Sequence, residues 1–178
     1  TLANGGVKYR PRLTIATEDV VTRERHPLPD QQPESLGYRP EHVETVLSAM
    51  HAVTTEGTST RVFAGAGYAS GGKTGTAQAV TIGQKDRYDA RKLEEHQRDH
   101  SLYVAFAPVE KPTVALAVVV ENAGFGAAHA APIARRVFDY LLMDQYPNPQ
   151  DLAAVQKGQA AAPIGTPLKA SEVPWPPQ

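Results

Sequence analysis

One stretch of the chain decides its fold: Gly71-Gly72-Lys73-Thr74-Gly75-Thr76-Ala77-Gln78. Its second half alternates in character and contains threonine, which is typical of a β-strand. Thr74 and Thr76 then project to the same side, because side chains two positions apart share one face of a strand. Lys73 adds a cation with three hydrogen-bond donors. The stretch therefore predicts a strand that presents two hydroxyls and an ammonium group.

Glycines surround these polar residues. Gly75 has no side chain to obstruct a ligand, and Gly71 and Gly72 let a ligand or another backbone come close. An exposed strand edge can also pair with the backbone of an extended peptide. A main-chain N–H at the right point can stabilise a tetrahedral oxyanion. The stretch therefore suits an extended peptide that ends in a carboxylate.

Two apolar runs follow further along the chain, at residues 102–107 and 113–120, and the link Val109-Glu110-Lys111-Pro112 between them has the length of a hairpin turn. Both runs are nearly continuous in apolar residues, which predicts that both faces of the sheet are covered. Residues 130–142 then repeat apolar side chains at +3, +4, +7, +8, +11 and +12 from Ala130, the pattern of an amphipathic helix. Arg135, Arg136 and Asp139 are predicted on its other face.

The segment before the glycine-rich stretch contains one further helix. It begins at Pro40, places Val43, Val46, Leu47, Met50 and Val53 on one face, and ends at Gly57 as a C-cap. His42 and His51 lie off this face and are predicted to be solvated. Residues 7–25 predict one or two short strands, through 13–16 and 20–22, and residues 26–38 a loop. Three antiparallel strands followed by a packing helix indicate the α+β class.

The remaining segments are polar. Residues 82–98 carry charges of mixed sign and predict a solvated loop or short surface helix. Residues 147–178 are rich in Pro, Ala and Gln and predict a flexible tail after a domain that spans residues 1–146. The chain begins at Thr1 without an initiator Met, and we expect it to be a fragment of a longer protein.

Composition limits the possible functions. The chain has 178 residues, of which 41% are hydrophobic and 21% charged, and a net charge of −1. No global field favours nucleic acid, no cysteine is present, and no metal site or cofactor is predicted. The longest apolar run, residues 114–120, is far shorter than the roughly 20 residues that span a bilayer.

A phosphate-binding loop is an alternative function for the glycine-rich stretch. Gly67, four residues, and then Gly72-Lys73-Thr74 match the spacing of that motif. The motif needs a helix directly after it, however, and Gly75 with two β-branched threonines makes a poor helix start. A non-catalytic binding or scaffold module, in which the sheet and the tail recognise a partner, is the other alternative.

The stretch 72–78 resembles the third motif, Lys-Thr/Ser-Gly, of class B penicillin-binding proteins. Residues 98–108 resemble the strand after that motif, residues 118–122 and the following helix resemble the closing strand and C-terminal helix, and residues 53–58 resemble the segment before it. The resemblance covers residues 1–145 and is nearest to the cell-elongation members of Gram-negative bacteria. Asp99 and His100 match the family and are predicted to be structural residues at the start of a strand.

This resemblance implies a serine-type peptidoglycan D,D-transpeptidase. Lys73 would lie near the nucleophile, Thr74 and Thr76 would bind the carboxylate of the peptide or a β-lactam, and Gly75 would keep the strand open. The N–H of Thr76 would form half of the oxyanion hole, so Lys73 and Thr76 are the predicted catalytic residues. The family's other motifs, Ser-x-x-Lys and Ser-x-Asn, are expected to lie outside this chain, which would then be inactive alone.

The resemblance also implies partners and a location for the full-length protein. The partners would be stem peptides ending in D-Ala-D-Ala, β-lactam antibiotics and a membrane-embedded glycan polymerase of the elongation machinery. The location would be the periplasmic face of the inner membrane, through an N-terminal transmembrane helix outside this chain. The isolated chain is expected to self-associate, because exposed strand edges and apolar faces do so.

Overall fold

The computed structural model describes residues 1–80, 89 and 92–174. The chain forms two compact units, Thr1–Val46 and Leu47–Gln178. Helix α1, Pro40–Thr55, contributes to the first unit through Val46 and to the second from Leu47. The chain therefore divides within this helix, whereas the sequence placed its only boundary at residue 146.

The first unit is built from two small antiparallel pairs. Strand β1, Val7–Lys8, pairs with β4, Glu34–Ser35. Strand β2, Ala16–Glu18, pairs with β3, Arg25–Pro27. Short strands were predicted in this part of the chain, and the loop predicted over residues 26–38 is wrong where it overlaps β3 and β4.

The predicted strand at Val20-Val21-Thr22 is also wrong, because these residues form the turn between β2 and β3. The Asp19 carboxylate accepts hydrogen bonds from the N–H groups of Val21 and Thr22, at 2.8 and 2.7 Å. These bonds lower the pKa of Asp19. A carboxylate that binds backbone N–H groups just after it favours a turn over a strand.

Helix α1 confirms the apolar repeat that begins at Val43. The residue after its last turn, Gly57, donates its N–H to Ala52 O at 2.8 Å, as a residue at a helix end does. Its φ lies outside the left-handed region, so the backbone does not require glycine there. A Cβ on Gly57 would lie 2.7 Å from Val53 Cα, and this close packing is the reason for glycine.

The second unit contains a three-stranded antiparallel sheet of β5, Gly71–Ala77, β6, His100–Ala107, and β7, Val114–Val120, in that order. The three predicted strands are thus confirmed. The register pairs Gly71 with Phe106 and Ala77 with His100 on one side of β6. On the other side it pairs Ala107 with Val114.

Helix α3, Ala130–Met143, packs on one face of this sheet, as its apolar repeat predicted, but Val137 and Leu141 of that repeat are 37% and 53% exposed. The core consists of side chains from α3, β6 and the short helix α2, Thr60–Phe63; these are Val62, Phe63, Tyr103, Ala105, Ala107, Ala130, Ala131, Ala134 and Phe138. The prediction that both faces are covered is wrong for β7, whose residues alternate between half-buried and exposed. Val119 is 61% exposed on that open face.

The other face of α3 is buried instead of solvated. Arg135 and Asp139 form an ion pair at 2.8 Å, and Arg136 pairs with Asp151. All four of these residues are at most 7% exposed. The helical period identified them as polar but could not show that other segments cover them.

One of those covering segments lies in the predicted flexible tail. Helix α4, Pro149–Gln156, begins after Asn148, whose side chain accepts the N–H of Asp151. Strand β8, Gln145–Tyr146, pairs with β9, Leu168–Lys169. The part of this segment that the structure describes is therefore folded, and Asn148-Pro149 is a helix-start signal that the prediction of a flexible tail overlooked.

The start of β6 is fixed by local contacts. The Asn122 N–H donates to His100 Nδ1 at 3.0 Å, and the Gly124 N–H donates to Asp99 O at 2.8 Å. These contacts fit the structural role predicted for Asp99 and His100. Of the charged segment before β6, residues 81–88, 90 and 91 lie outside the described residues.

No helix in the described part of the chain is both long and apolar enough to cross a bilayer.

Candidate active site

Strand β5 lies at the edge of the sheet, because β6 is its only strand neighbour among residues 1–80, 89 and 92–174. We call Gly71–Ala77 and its unpaired side the β5 edge. Alternate backbone groups of an edge strand point away from the sheet and can bind another chain. The β5 edge therefore has the backbone needed to pair with an extended peptide.

Lys73 is exposed on this strand. Its Nζ donates to the carbonyl oxygen of Thr74 at 2.8 Å. Within the described residues it forms no ion pair with a carboxylate. The ammonium group of Lys73 is therefore available to an anion.

Thr74 and Thr76 lie opposite Tyr103 and Ser101 of β6, so their side chains share one face of the sheet, as their spacing predicted. Thr76 is exposed and Thr74 is half-buried. The Thr74 hydroxyl has a neighbour that the sequence did not predict, the Thr58 hydroxyl at 3.3 Å. Three hydroxyls and one ammonium group are thus concentrated at the β5 edge.

The glycines before Lys73 accommodate aromatic rings of β6. A Cβ on Gly71 would lie 2.6 Å from Phe106 Cζ, and a Cβ on Gly72 would lie 2.6 Å from Tyr103 Cζ. The prediction that these two glycines admit a ligand is therefore corrected, since rings of the protein occupy that space. Gly75 lies against Leu102, whose Cβ would be 3.1 Å from an added Cβ.

Tyr103 is fully buried beneath β5. Burial raises its pKa, and the nearby Ser59 hydroxyl offsets part of this rise. Among the described residues, neither hydroxyl has a partner within hydrogen-bond geometry. Tyr103 is therefore a neutral packing residue, which supports the strand from below.

Helix α1 holds the residue that precedes β5. The Nδ1–H of His51 donates to Ser70 O at 2.8 Å, and the Thr54 hydroxyl donates to the same oxygen at 2.7 Å. The prediction that His51 is solvated is therefore wrong. A helix residue and the residue before a strand, 19 positions apart, make this contact, and no local pattern indicates it.

Ser70 also corrects the expectation that no Ser-x-x-Lys spacing occurs in the chain, because Ser70-Gly71-Gly72-Lys73 has that spacing. Ser70 is only 2% exposed and precedes an extended strand. Residues three apart on a strand point to opposite faces, whereas on a helix they are neighbours. Ser70 and Lys73 form no side-chain hydrogen bond, so this spacing does not form a nucleophile with its base.

The structure also bears on the phosphate-loop alternative. Lys73 and Thr74 lie inside an antiparallel strand, and no helix begins directly after them in the described residues. A phosphate loop requires a helix N-terminus at this point. The geometry therefore does not support nucleotide binding.

The chemistry available at the β5 edge is that of binding. An ammonium group, hydroxyl donors and free backbone groups suit a carboxylate and an adjoining peptide. In the described part of the chain, no serine hydroxyl is bonded to a lysine or histidine side chain. The same residues contain no cluster of three potential metal ligands.

Comparisons with known proteins agree with this geometry. The family described as "Penicillin binding protein transpeptidase domain" matches residues 1–139. The peptidoglycan D,D-transpeptidase MrdA of Haemophilus influenzae is 34% identical over 149 residues, which are 83% of this chain and 23% of that protein. The chain thus spans about a quarter of the length of such relatives.

Solved structures share the fold. Pseudomonas aeruginosa penicillin-binding protein 2 superposes with a TM-score of 0.61 at 34% identity, over 80% of this chain and 27% of that one. Penicillin-binding protein A of Mycobacterium tuberculosis, solved as an imipenem acyl-enzyme, superposes with a TM-score of 0.59 at 28% identity. That match covers 79% of this chain and 28% of the other.

The matched region includes the whole sheet and α3 as far as Asp139. The chain therefore belongs to the penicillin-binding protein transpeptidase family.

Proposed function

We propose that this chain supplies the substrate-binding strand of a serine-type peptidoglycan D,D-transpeptidase, an enzyme that cross-links the bacterial cell wall. The observation that carries the proposal is an exposed strand edge that presents the Thr74 hydroxyl and the ammonium group of Lys73, which forms no ion pair within the described residues. Membership of the transpeptidase family gives this edge a ligand, the carboxylate end of a peptide.

The residues of the β5 edge then have the following roles. Thr74 and Thr76 donate hydrogen bonds to the carboxylate of the terminal D-Ala, or to that of a β-lactam. Lys73 lies near the nucleophile and stabilises negative charge. The N–H of Thr76 supplies half of the oxyanion hole, and Gly75 leaves that part of the strand without a side chain.

The reaction is an acyl transfer in two steps. A serine hydroxyl attacks the carbonyl of the penultimate D-Ala, the peptide bond breaks, and the terminal D-Ala leaves with the proton on its amine. An amine of a neighbouring stem peptide then attacks the ester, which forms the cross-link and returns the proton to serine. A β-lactam forms the same ester through its ring carbonyl.

The nucleophilic serine lies outside these residues. Ser70 has the family spacing but is buried and precedes a strand, and no serine has Asn two residues on. The relatives are about four times longer than the matched region, which leaves room for both motifs elsewhere. The chain alone is therefore inactive.

We infer that the full-length protein lies at the periplasmic face of the inner membrane, with a membrane-embedded glycan polymerase as partner. Support for both comes from similarity to peptidoglycan transpeptidases of Gram-negative bacteria. The partner is tested by purifying the tagged full-length protein from a detergent extract of intact membranes. Absence of a polymerase from the purified material would contradict the partnership.

The isolated chain self-associates. Support comes from the unpaired β5 edge and from the open face of the sheet, where Val119 is 61% and Val104 46% exposed. Monomeric elution from a sizing column without binding of an apolar dye would contradict this.

A fluorescent penicillin tests the central proposal. We expect the full-length protein and its Ser70→Ala variant to be labelled covalently, and the isolated chain to remain unlabelled. No labelling of the full-length protein would overturn the transpeptidase assignment. Labelling of the isolated chain that is lost on Ser70→Ala would instead identify Ser70 as the nucleophile.

A further inference from the structure

The contact between Thr58 and Thr74 is not explained by the roles given above. Thr58 is exposed and lies in the turn after helix α1, 16 positions before Thr74, and its hydroxyl oxygen is 3.3 Å from that of Thr74. This distance is long for a hydrogen bond between hydroxyls, so the contact is weak in the absence of a ligand. The position of Thr58 beside Thr74 is nevertheless set by the fold.

The turn that carries Thr58 is held tightly. The Ser59 N–H donates to Val53 O at 3.0 Å, and Ser59 is fully buried. Gly57 packs so closely on Val53 that a Cβ there would lie 2.7 Å from Val53 Cα. Thr58 is therefore fixed between a glycine that cannot be enlarged and a serine that is buried.

The strand is fixed to the same helix. His51 and Thr54 both donate to the carbonyl oxygen of Ser70, directly before β5. Helix α1 thus sets the position of the strand and, through its last turn, the position of Thr58. The distance between the hydroxyls of Thr58 and Thr74 follows from these two attachments.

When a carboxylate binds, the number of hydroxyl protons decides which of the two threonines donates in this contact. A carboxylate only accepts hydrogen bonds, so Thr74 must donate its single hydroxyl proton to it. The contact with Thr58 can then exist only with Thr58 as the donor and Thr74 as the acceptor. Donation to Thr74 polarises its O–H and strengthens the bond to the carboxylate, as in other hydrogen-bond chains.

We propose that Thr58 is a positioning residue for carboxylate recognition, which donates to Thr74 and orients its hydroxyl toward the ligand. The inference rests on the proposed function, because it assigns the carboxylate to Thr74. Thr58 itself does not touch the substrate. Its effect is on binding of the carboxylate and is present in the ground state and the transition state alike.

The test measures acylation of the full-length enzyme by a penicillin that carries a free carboxylate, resolved into the dissociation constant of the first complex and the acylation rate constant. We expect Thr58→Val to raise the dissociation constant about five-fold, the effect of one net hydrogen bond, with the rate constant changed less than about two-fold. Thr58→Ser, which keeps the hydroxyl, should restore the parent value.

Two further variants make the test specific. Thr55→Val is the matched control, because Thr55 is exposed near the same helix end and its hydroxyl binds His51 O. In a Thr74→Val background, Thr58→Val should add no further loss, since Thr58 acts through Thr74. This non-additivity separates positioning from a general disturbance of the turn.

The outcomes are distinct. A Thr58→Val enzyme that behaves like Thr55→Val, or losses that add in the double variant, would overturn the role of Thr58 and leave the proposed function intact. A parent enzyme that is not acylated at all would overturn the proposed function and this inference together.

Discussion

The β5 edge and the buried side of helix α3 differ in the exposure and pairing of their charged side chains. Lys73 is exposed and forms no ion pair within the described residues. Arg135 is 5% exposed, pairs with Asp139 and also donates to Val62 O and Ala64 O. Both regions belong to the same compact unit of the chain.

The difference separates structural charges from functional ones. A buried charge must be paired, because removal from water costs several kcal/mol per ion (about 3–5 when one partner is deleted). An exposed charge without a partner contributes little to folding and remains available to a ligand. Stability and binding should therefore respond to different substitutions in these two regions.

The largest expected effect is on stability. Asp139→Ala leaves the Arg135 guanidinium buried without its carboxylate, and we expect the free energy of unfolding to fall by about 3–5 kcal/mol. Urea denaturation measures it. Glu172→Ala is the control, because Glu172 pairs with Lys169 in solvent and its loss should cost no more than about 1 kcal/mol. Equal effects of the two substitutions would refute the contrast.

The next effect is on chemistry. Lys73→Met in the full-length enzyme should lower the rate of acylation by penicillin about 100-fold, the loss expected when one group that stabilises charge is removed. Its unfolding free energy should change by less than about 0.5 kcal/mol, because the side chain is exposed. Lys111→Met, at another exposed lysine, is the control for acylation. A clear loss of stability in Lys73→Met would instead show that Lys73 is a charge that the fold requires.

A smaller effect tests the support beneath the β5 edge. Gly72→Ala places a methyl group closer to the Tyr103 hydroxyl than van der Waals contact allows, so one side chain must move. We expect a loss of about 1–3 kcal/mol in unfolding free energy, as for other overpacked cores. The double variant Gly72→Ala/Tyr103→Phe should recover part of this loss, and no recovery would show that the hydroxyl is not the obstacle.

The smallest effect concerns pH. Burial, and then the adjacent Asp139 carboxylate, raise the pKa of Tyr68, whose hydroxyl donates to Asp139 at 2.9 Å. A pKa that is higher in the folded state stabilises the protein below the unfolded value of about 10, and this contribution is lost as the pH rises above it.

Urea midpoints at pH 9 and pH 11 measure this dependence. We expect stability to fall between them, and Tyr68→Phe to reduce the fall by at most about 1 kcal/mol. Tyr140→Phe serves as the control, because Tyr140 is 42% exposed. An unchanged fall in Tyr68→Phe would show that Tyr68 is not the titrating group.

Much of the fold follows from local pattern, and the exceptions have physical reasons. The three strands of the sheet and helices α1 and α3 appear where the pattern of apolar residues predicts them, because buried positions recur at a spacing set by the element. Val20-Val21-Thr22 has strand-forming residues, yet Asp19 binds their N–H groups and makes a turn. Helix α4 was missed because its apolar pattern is weak, although Asn148-Pro149 marks its start.

Some features of the candidate site were likewise predictable from the sequence, and others were not. The side of the strand that Thr74 and Thr76 share was predictable, because it depends on a spacing of two residues. The burial of Ser70 and its bond to His51 were not, because α1 and β5 meet across residues distant in sequence. Ser70-Gly71-Gly72-Lys73 shows the consequence, since a spacing that suits a nucleophile on a helix has no such meaning on a strand.

The sequence by itself determined the three strands of the sheet, helices α1 and α3, and the polar groups that the strand after Gly72 carries, because these depend on neighbours a few residues apart. Only the tertiary structure decided which charges are buried, which rings fill the space over Gly71 and Gly72, and that Thr58 lies beside Thr74. Those facts depend on contacts between distant segments, which residue spacing does not encode. Lys73 is exposed and Arg135 is buried for that reason, although both are basic residues in the sequence.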